Sequence, residues 1–166
     1  MNSNPKQSSV IVLHELITDS IILTKRTENL RNHPGEVCFP GGFQEAKDSN
    51  LFQTAVRELE EELGISANRV TCVRELTLEK TLRGVFIHPW LASIETIIPY
   101  KLNANEVAKL IKVPMALVLD AGNYREFTIS RAGKNYQTWQ FLPAEEVIWG
   151  ATARIMLNMT SKSKLG

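Results

Sequence analysis

Glu58, Glu61 and Glu62 follow Arg57 in the run Arg57-Glu58-Leu59-Glu60-Glu61-Glu62-Leu63-Gly64-Ile65. At about 100° per residue, with Glu58 at zero, Glu62 falls at about +40° and Glu61 at about −60°, so three carboxylates share one helix face. Phe52, Ala55, Val56, Leu59 and Leu63 fall between about +60° and about +160°, an apolar stripe beside the acidic one. Like charges three and four residues apart cost on the order of a few tenths of a kcal/mol per pair. Such a face calls for counter-charge, and carboxylate oxygens are the ligands that Mg²⁺ and Mn²⁺ prefer. Arg57 could pin one carboxylate through a bidentate contact. Glu60 lies off the shared face and reads as solvated. Glu-rich faces are more often simply solvated, but Pro40-Gly41-Gly42 lies just upstream. That side-chain-free bend lets backbone groups approach a metal or a phosphate.

The acidic run sits in the clearest helix of the chain, Leu51 to Leu63, closed by Gly64 in the C-cap position, with Asp48 and Ser49 as candidate N-caps. Before it, Val10 to Leu13 and Ile21 to Leu23 flank Thr18-Asp19-Ser20 and predict a hairpin. Val37-Cys38-Phe39 is a short apolar run stopped by Pro40, and Phe43 to Asn50 reads as a loop. After the helix, Val70 to Leu78 and Val85 to Ile94 predict strands, as does Leu110 to Val113, where Pro114 opens a short helix. Tyr124 to Ile129 and Tyr136 to Phe141 predict a second hairpin around Gly133-Lys134, and Val147 to Met159 a last helix. The order indicates an α/β (α+β) fold, a mixed sheet with helices packed against it.

The 166 residues fit one domain spanning 1–166, with a core over about 9–160 and polar tails. With 43% hydrophobic and 22% charged residues, the chain is neither disordered nor a disulfide scaffold. Its 19 Lys and Arg nearly cancel 18 Asp and Glu, so no whole-molecule field favours nucleic acid or an anionic membrane. Cys38 and Cys72 have neither the number nor the spacing of a disulfide framework or zinc site. No stretch approaches the roughly 18 apolar residues of a membrane span. Met1 to Ser9 lacks the apolar core of a secretory signal, and Gly166 masks a terminal Ser-Lys-Leu address. A cytoplasmic location is the expectation.

The run from Gly42 to Ile65 resembles a Nudix box, G-x5-E-x7-R-E-U-x-E-E-x-G-U with U a bulky apolar residue. Gly42 begins the pattern and Arg57 to Ile65 match its second half, while the first acid falls on Asp48 and eight residues rather than seven separate it from Arg57. Upstream, Leu23-Thr24-Lys25-Arg26-Thr27, Leu30-Arg31-Asn32-His33-Pro34-Gly35 and Phe39-Pro40-Gly41-Gly42 are similar to a signature of the coenzyme A pyrophosphatase branch of that superfamily. Members of the branch also carry an Asp and the longer spacing. Trp139 and Val147-Ile148-Trp149-Gly150-Ala151-Thr152-Ala153 resemble it too, so the likeness runs from about Leu23 to Met156.

The resemblance implies a Nudix-type α/β/α sandwich whose mixed sheet is flanked by the box helix and a C-terminal helix. It implies Mg²⁺ or Mn²⁺ as cofactor, held by Glu58, Glu61, Glu62 and a Gly42 carbonyl, with Glu61 as base and Arg57 as orienting residue. Arg26, Arg31, His33 and Gly41 would bind a small-molecule substrate, and Glu106 is a weaker candidate for an additional acid. His88, Trp90, Trp139, Tyr124 and Tyr136 read as packing residues. The implied reaction is hydrolysis of coenzyme A to 3′,5′-ADP and 4′-phosphopantetheine. A broader hydrolase of ADP-ribose, NADH or dinucleoside polyphosphates is the alternative, and a silent nucleotide-binding sensor a third. A homodimer is left open.

Overall fold

The computed structural model describes residues 6–163. Residues 1–5 and 164–166, which carry most of the N-terminal signal reading and the terminal-address reading, lie outside the described residues.

The expected first hairpin is β1 (Gln7–Glu15) and β2 (Ser20–Arg26), antiparallel with Leu13 opposite Ile22. Its turn places Asp19 at φ 48, a left-handed conformation that Asp tolerates. β3 (Val37–Cys38) pairs with β2, and β4 (Gly41–Phe43) folds back on β1 with Ser9 opposite Gly42. Helix α1 (Leu51–Leu63) has the expected bounds. Its N-cap is Asn50, whose side chain accepts from Gln53 N at 2.9 Å, rather than Asp48 or Ser49. Asp48 is turned inward to Arg57 and is not free to cap. Gly64, at φ 65, closes the helix by donating its N–H to Glu60 O.

The chain continues through β5 (Thr71–Glu75), β6 (Glu79–Lys80), β7 (Phe86–Ile94), β8 (Val107–Pro114) and the single-turn α2 (Met115–Val118). The second hairpin is β9 (Tyr124–Arg131) with β10 (Lys134–Phe141). β11 (Ile148–Trp149) and α3 (Gly150–Ser163) follow. The last helix therefore begins three residues later than expected, because Ile148 and Trp149 pair with Phe141 and Gln140 as an edge strand first.

β1 and β7 run parallel over nine residues and form the centre of an eight-stranded mixed sheet, ordered β8-β2-β1-β7-β5 with β3, β4 and β6 alongside. β9, β10 and β11 form a separate antiparallel sheet rather than extending the first, a layer that hydrophobic patterning did not separate.

Alternation along β1 and β2 sends Ile11, Leu13 and Ile22 to one face, where Ala55, Leu59 and Leu63 of α1 are fully buried against them. Each such leucine contributes about 1.5–3 kcal/mol. Val12, Ile21 and Leu23 face the other way, into Ile155, Met156 and Met159 of α3 and Tyr124, Phe141 and Ile148 of the second sheet. The layers are those of the expected sandwich. Among the described residues no helix is long and apolar enough to cross a membrane.

Candidate active site

The glycine bend is stitched to the sheet and the helix start is stitched to both. Ile11 N donates to Pro40 O at 2.9 Å, and Ser8 Oγ to Gly42 O at 3.1 Å. Buried Ser9 donates its hydroxyl to Leu51 O at 2.6 Å, fixing the first turn of α1 over β1. At the other end of the helix, Lys101 N donates to Leu63 O and Asn103 N to Glu62 O. Those two bonds satisfy carbonyls that the helix leaves orphaned. They also carry the chain into Glu106, just before β8.

Within this frame the acidic face is packed unevenly. Glu62 is buried, with its side chain beneath the bend, while Glu61 is exposed and Glu58 lies between the two. Burial pushes the Glu62 carboxyl up to about 8, reinforced by Glu58 and Glu106 and opposed by the charge of Arg26 and the Gly41 N–H. Burial also raises Glu58, with Arg57 opposing, and Glu61 and Glu106 add to the rise. Glu106 thus lies near enough to Glu58 and Glu62 to act on both by charge. The Cys38 thiol is pushed up to about 11, first by burial and then by Glu62, so it is an un-ionised neighbour of the site.

Arg57 organises the loop. Its Nε and Nη2 donate to Asp48 Oδ1 and Oδ2 at 2.9 and 3.0 Å, a bidentate contact made with the loop acid rather than with a carboxylate of the helix face as expected, and Nη2 also reaches Phe43 O at 3.1 Å. Nη1 turns to Glu58 at 3.1 Å and Glu61 at 3.3 Å, with Glu45 at 3.5 Å. Asp48 further accepts from Thr54 Oγ1 and Glu45 N, both at 2.9 Å. The hydrogen bonds from Arg57 hold the Asp48 carboxyl well below its usual range, against its burial. The shorter acid and extra loop residue thus still close an ion pair across the loop. The Glu45 and Thr54 contacts had no signal in the sequence.

Among the described residues no three His, Cys, Asp or Glu side chains are drawn together into a metal cage. Glu58 and Glu61 instead share Arg57 on the outer side of the helix. The donor set nonetheless fits a divalent cation, because Glu62 Oε2 is buried with no hydrogen-bond partner. A buried carboxylate oxygen left alone costs several kcal/mol unless a cation or proton meets it. Gly42 lies so close to Glu58 that a Cβ there would run into its carboxylate.

Of the substrate-binding candidates, the Gly41 N–H and the charge of Arg26 both act to lower the raised Glu62 carboxyl. Arg31 and His33 stand exposed on the loop after β2, where His33 pairs with Glu36 at 3.0 Å. No hydrogen bond or ion pair among the described residues joins either to the three glutamates. Tyr124 packs on Phe141 and donates to Val118 O, the packing role expected of it.

A NUDIX domain model matches residues 5–147, most of the chain. The chain belongs to the Nudix family. A relative described as uncharacterized Nudix hydrolase NudL, from Photorhabdus laumondii, is 32% identical over 137 residues, covering 82% of this chain and 73% of that protein. The MutT protein of Methanosarcina mazei superposes with TM-score 0.61 at 18% identity over 100% of this chain and 99% of its own. The NUDIX domain of Shewanella oneidensis NrtR, crystallised with ADP ribose, gives TM-score 0.61 at 16% identity over 99% and 90%. Both likenesses bear on the Nudix fold alone. As a Nudix hydrolase the chain falls among pyrophosphohydrolases, whose family generally uses divalent metals such as Mg²⁺.

Proposed function

We propose that this Nudix hydrolase cleaves the diphosphate bond of coenzyme A or its derivatives, giving 3′,5′-ADP and 4′-phosphopantetheine, with Mg²⁺ or Mn²⁺. The observation that carries the chemistry is the orphaned Glu62 oxygen beside Glu58 and Glu106, under a bend that admits no side chain. What favours coenzyme A is the segment from Leu23 to Gly42, which matches the branch signature and forms β2, β3 and β4 around these acids.

Glu58, Glu62, Glu61 and the Gly42 carbonyl would hold the ions. Bound there, they would neutralise the diphosphate and lower the pKa of a coordinated water. Glu61, on the solvent side and tethered by Arg57, takes the proton of the attacking water as its oxygen bonds to phosphorus. The bridging P–O bond breaks and the second phosphate leaves on the bridging oxygen. Arg57 orients Glu58 and Glu61 and locks the loop through Asp48. Arg26 draws the substrate phosphates toward the acids, and Arg31, His33 and the Gly41 backbone complete the substrate contacts.

ADP-ribose is the second reading, favoured by the ligand of the NrtR domain with which this fold superposes. A Mg²⁺-dependent panel of coenzyme A, ADP-ribose, NADH and diadenosine polyphosphates, with products resolved by mass, separates the two. Fastest release of 3′,5′-ADP and phosphopantetheine is expected, and preferential ADP-ribose cleavage overturns the substrate assignment. Glu62→Gln should fold normally and lose about 100-fold or more in turnover. A folded, fully active Glu62→Gln enzyme removes the metal-site assignment.

A further inference from the structure

Lys25 and Lys109 stand directly opposite each other on β2 and β8. Like charges so placed weaken strand pairing, so the two ammonium groups need an anion between them. The structure supplies one from elsewhere in the chain. Glu146 meets Lys25 Nζ at 3.0 Å and Lys109 Nζ at 3.5 Å, and it comes from the loop after β10 rather than from the sheet. All three side chains keep solvent access, at 29%, 52% and 25% for Lys25, Lys109 and Glu146. That loop and β8 border a groove of about 340 Å³, whose lining includes Lys109, Ile111, Val113, Pro143, Ala144 and Glu146. The Glu146 carboxylate thus bridges two lysines, of which Lys109 lines the open groove together with Glu145 and Glu146.

The position relative to the acids follows from strand alternation, which sends neighbouring residues to opposite faces, together with a β-bulge. Lys25 pairs with Lys109 but Arg26 pairs with Val107, so the register slips between adjacent cations. Bulges re-aim side chains and recur beside active sites. Lys25 is turned toward Glu146 and the second-sheet side, whereas Arg26 acts on Glu62 on the α1 side. Lys109 lies three residues, about 10 Å of strand, beyond Glu106. The lysine pair and the acids thus flank the C-terminal end of β2 on opposite faces, and a ligand engaging both carries its further phosphate around that end.

We propose that Lys25 and Lys109 form a phosphomonoester site, filled by Glu146 in the free protein, that takes the non-reacting phosphate of the substrate. This rests on the coenzyme A reading, in which that group is the 3′-phosphate. A phosphomonoester brings about two charges and three acceptor oxygens where Glu146 brings one charge and two, so it displaces that carboxylate. Dephospho-coenzyme A, ADP-ribose and NADH offer no such group, which makes the pair a selectivity device.

The test is calorimetric binding of 3′,5′-ADP and 5′-AMP, which differ only in the group in question and need no turnover. The wild-type protein should prefer 3′,5′-ADP about tenfold, the worth of one partly screened charge-assisted pairing. That preference should fall below about twofold in Lys25→Gln/Lys109→Gln and widen severalfold in Glu146→Gln. If the double variant does not fold, Glu146→Gln decides alone. A merely structural ion pair would leave its selectivity unchanged or reduced, and that result overturns the proposal. Equal binding of the two nucleotides by wild type also overturns it, even where coenzyme A is cleaved and the functional reading stands. A tenfold preference that tracks the variants, without coenzyme A cleavage, sustains the phosphate site and removes the substrate reading instead.

Discussion

Replacing Asp48 by Asn tests whether the loop between the glycine bend and α1 is held by the ion pair with Arg57. The Asp48 side chain is only 4% exposed and receives Arg57 Nε and Nη2, Thr54 Oγ1 and Glu45 N, all within 2.9–3.0 Å. Asn keeps one acceptor oxygen but turns an NH₂ group toward the guanidinium, so about two charge-assisted hydrogen bonds at about 1.5 kcal/mol each are lost. Arg57 retains Glu58, Glu61 and Phe43 O, so its charge is not orphaned. That keeps the cost at about 3 kcal/mol, the low end for breaking a buried pair. Urea unfolding should show this loss with an unchanged m-value, and the melting temperature should fall by roughly 6–12 °C for a chain of this size. Turnover should drop about tenfold as Arg57, no longer pinned by Asp48, holds Glu58 and Glu61 less rigidly. Asp48→Glu matches the commoner box residue yet adds a methylene to a filled site, and should cost about 1–3 kcal/mol. Stability of Asp48→Asn within about 0.5 kcal/mol of wild type would refute the reasoning.

The two glycines should fail differently. The three atoms nearest a Cβ at Gly42 all belong to the movable carboxylate end of Glu58, so Gly42→Ala should stay folded while turnover collapses. A Cβ at Gly41 meets Ser9 O and the Cα of Val10, so Gly41→Ala should lose stability in the same denaturation assay. Burial raises the Glu15 carboxyl, but hydrogen bonds from Lys112, Thr18 and Ile97 N outweigh it and bring it down from 4.5 to about 2. Glu15 is 0% exposed, and its depressed pKa adds up to about 3 kcal/mol that is fully present above pH 4.5 and fades as pH falls toward 2. Glu15→Gln should flatten the acid limb of the stability curve, and a curve that keeps its wild-type slope would refute the assignment.

Much of the site was legible because its signals are local. The bounds of α1, its shared acidic face and the glycine bend follow from residue spacing at 3.6 per turn and from turn chemistry. What escaped depends on contacts distant in sequence. Asp48 looks like an N-cap until Arg57, nine residues on, competes for it, and Asn50 caps in its place. Ile148 and Trp149 read as helical because their partners, Phe141 and Gln140, are known only once the second sheet exists. Glu106 was ambiguous in a polar stretch and gains meaning from Asn103, whose bond to Glu62 O brings that loop to the helix end. The Lys25–Glu146 pair joins residues 121 positions apart, a distance at which pattern carries no information.

Near-neutral composition also concealed how charge is arranged. A net charge of +1 excludes a whole-molecule field but says nothing about separation within the chain. Glu45, Asp48, Glu58, Glu61, Glu62 and Glu106 gather around Arg57 and Arg26 on the α1 side, and Lys47 pairs with Glu45, so acids outnumber the cations they meet there. On the other side of β2, Lys25 and Lys109 outnumber Glu146. One strand thus separates an acidic pole from a mixed one, where Lys25 and Lys109 meet Glu146 and Glu145 lines the same groove. Cations are drawn to the first pole, and on the proposed reading a phosphate takes the place of Glu146 at the second. A substrate whose reacting diphosphate binds with cations while a second phosphate binds without them would satisfy both poles at once. ADP-ribose, which carries no phosphate beyond its diphosphate, would engage only the acidic one, so on the proposed reading discrimination rests on what the substrate carries beyond the bond that is cut.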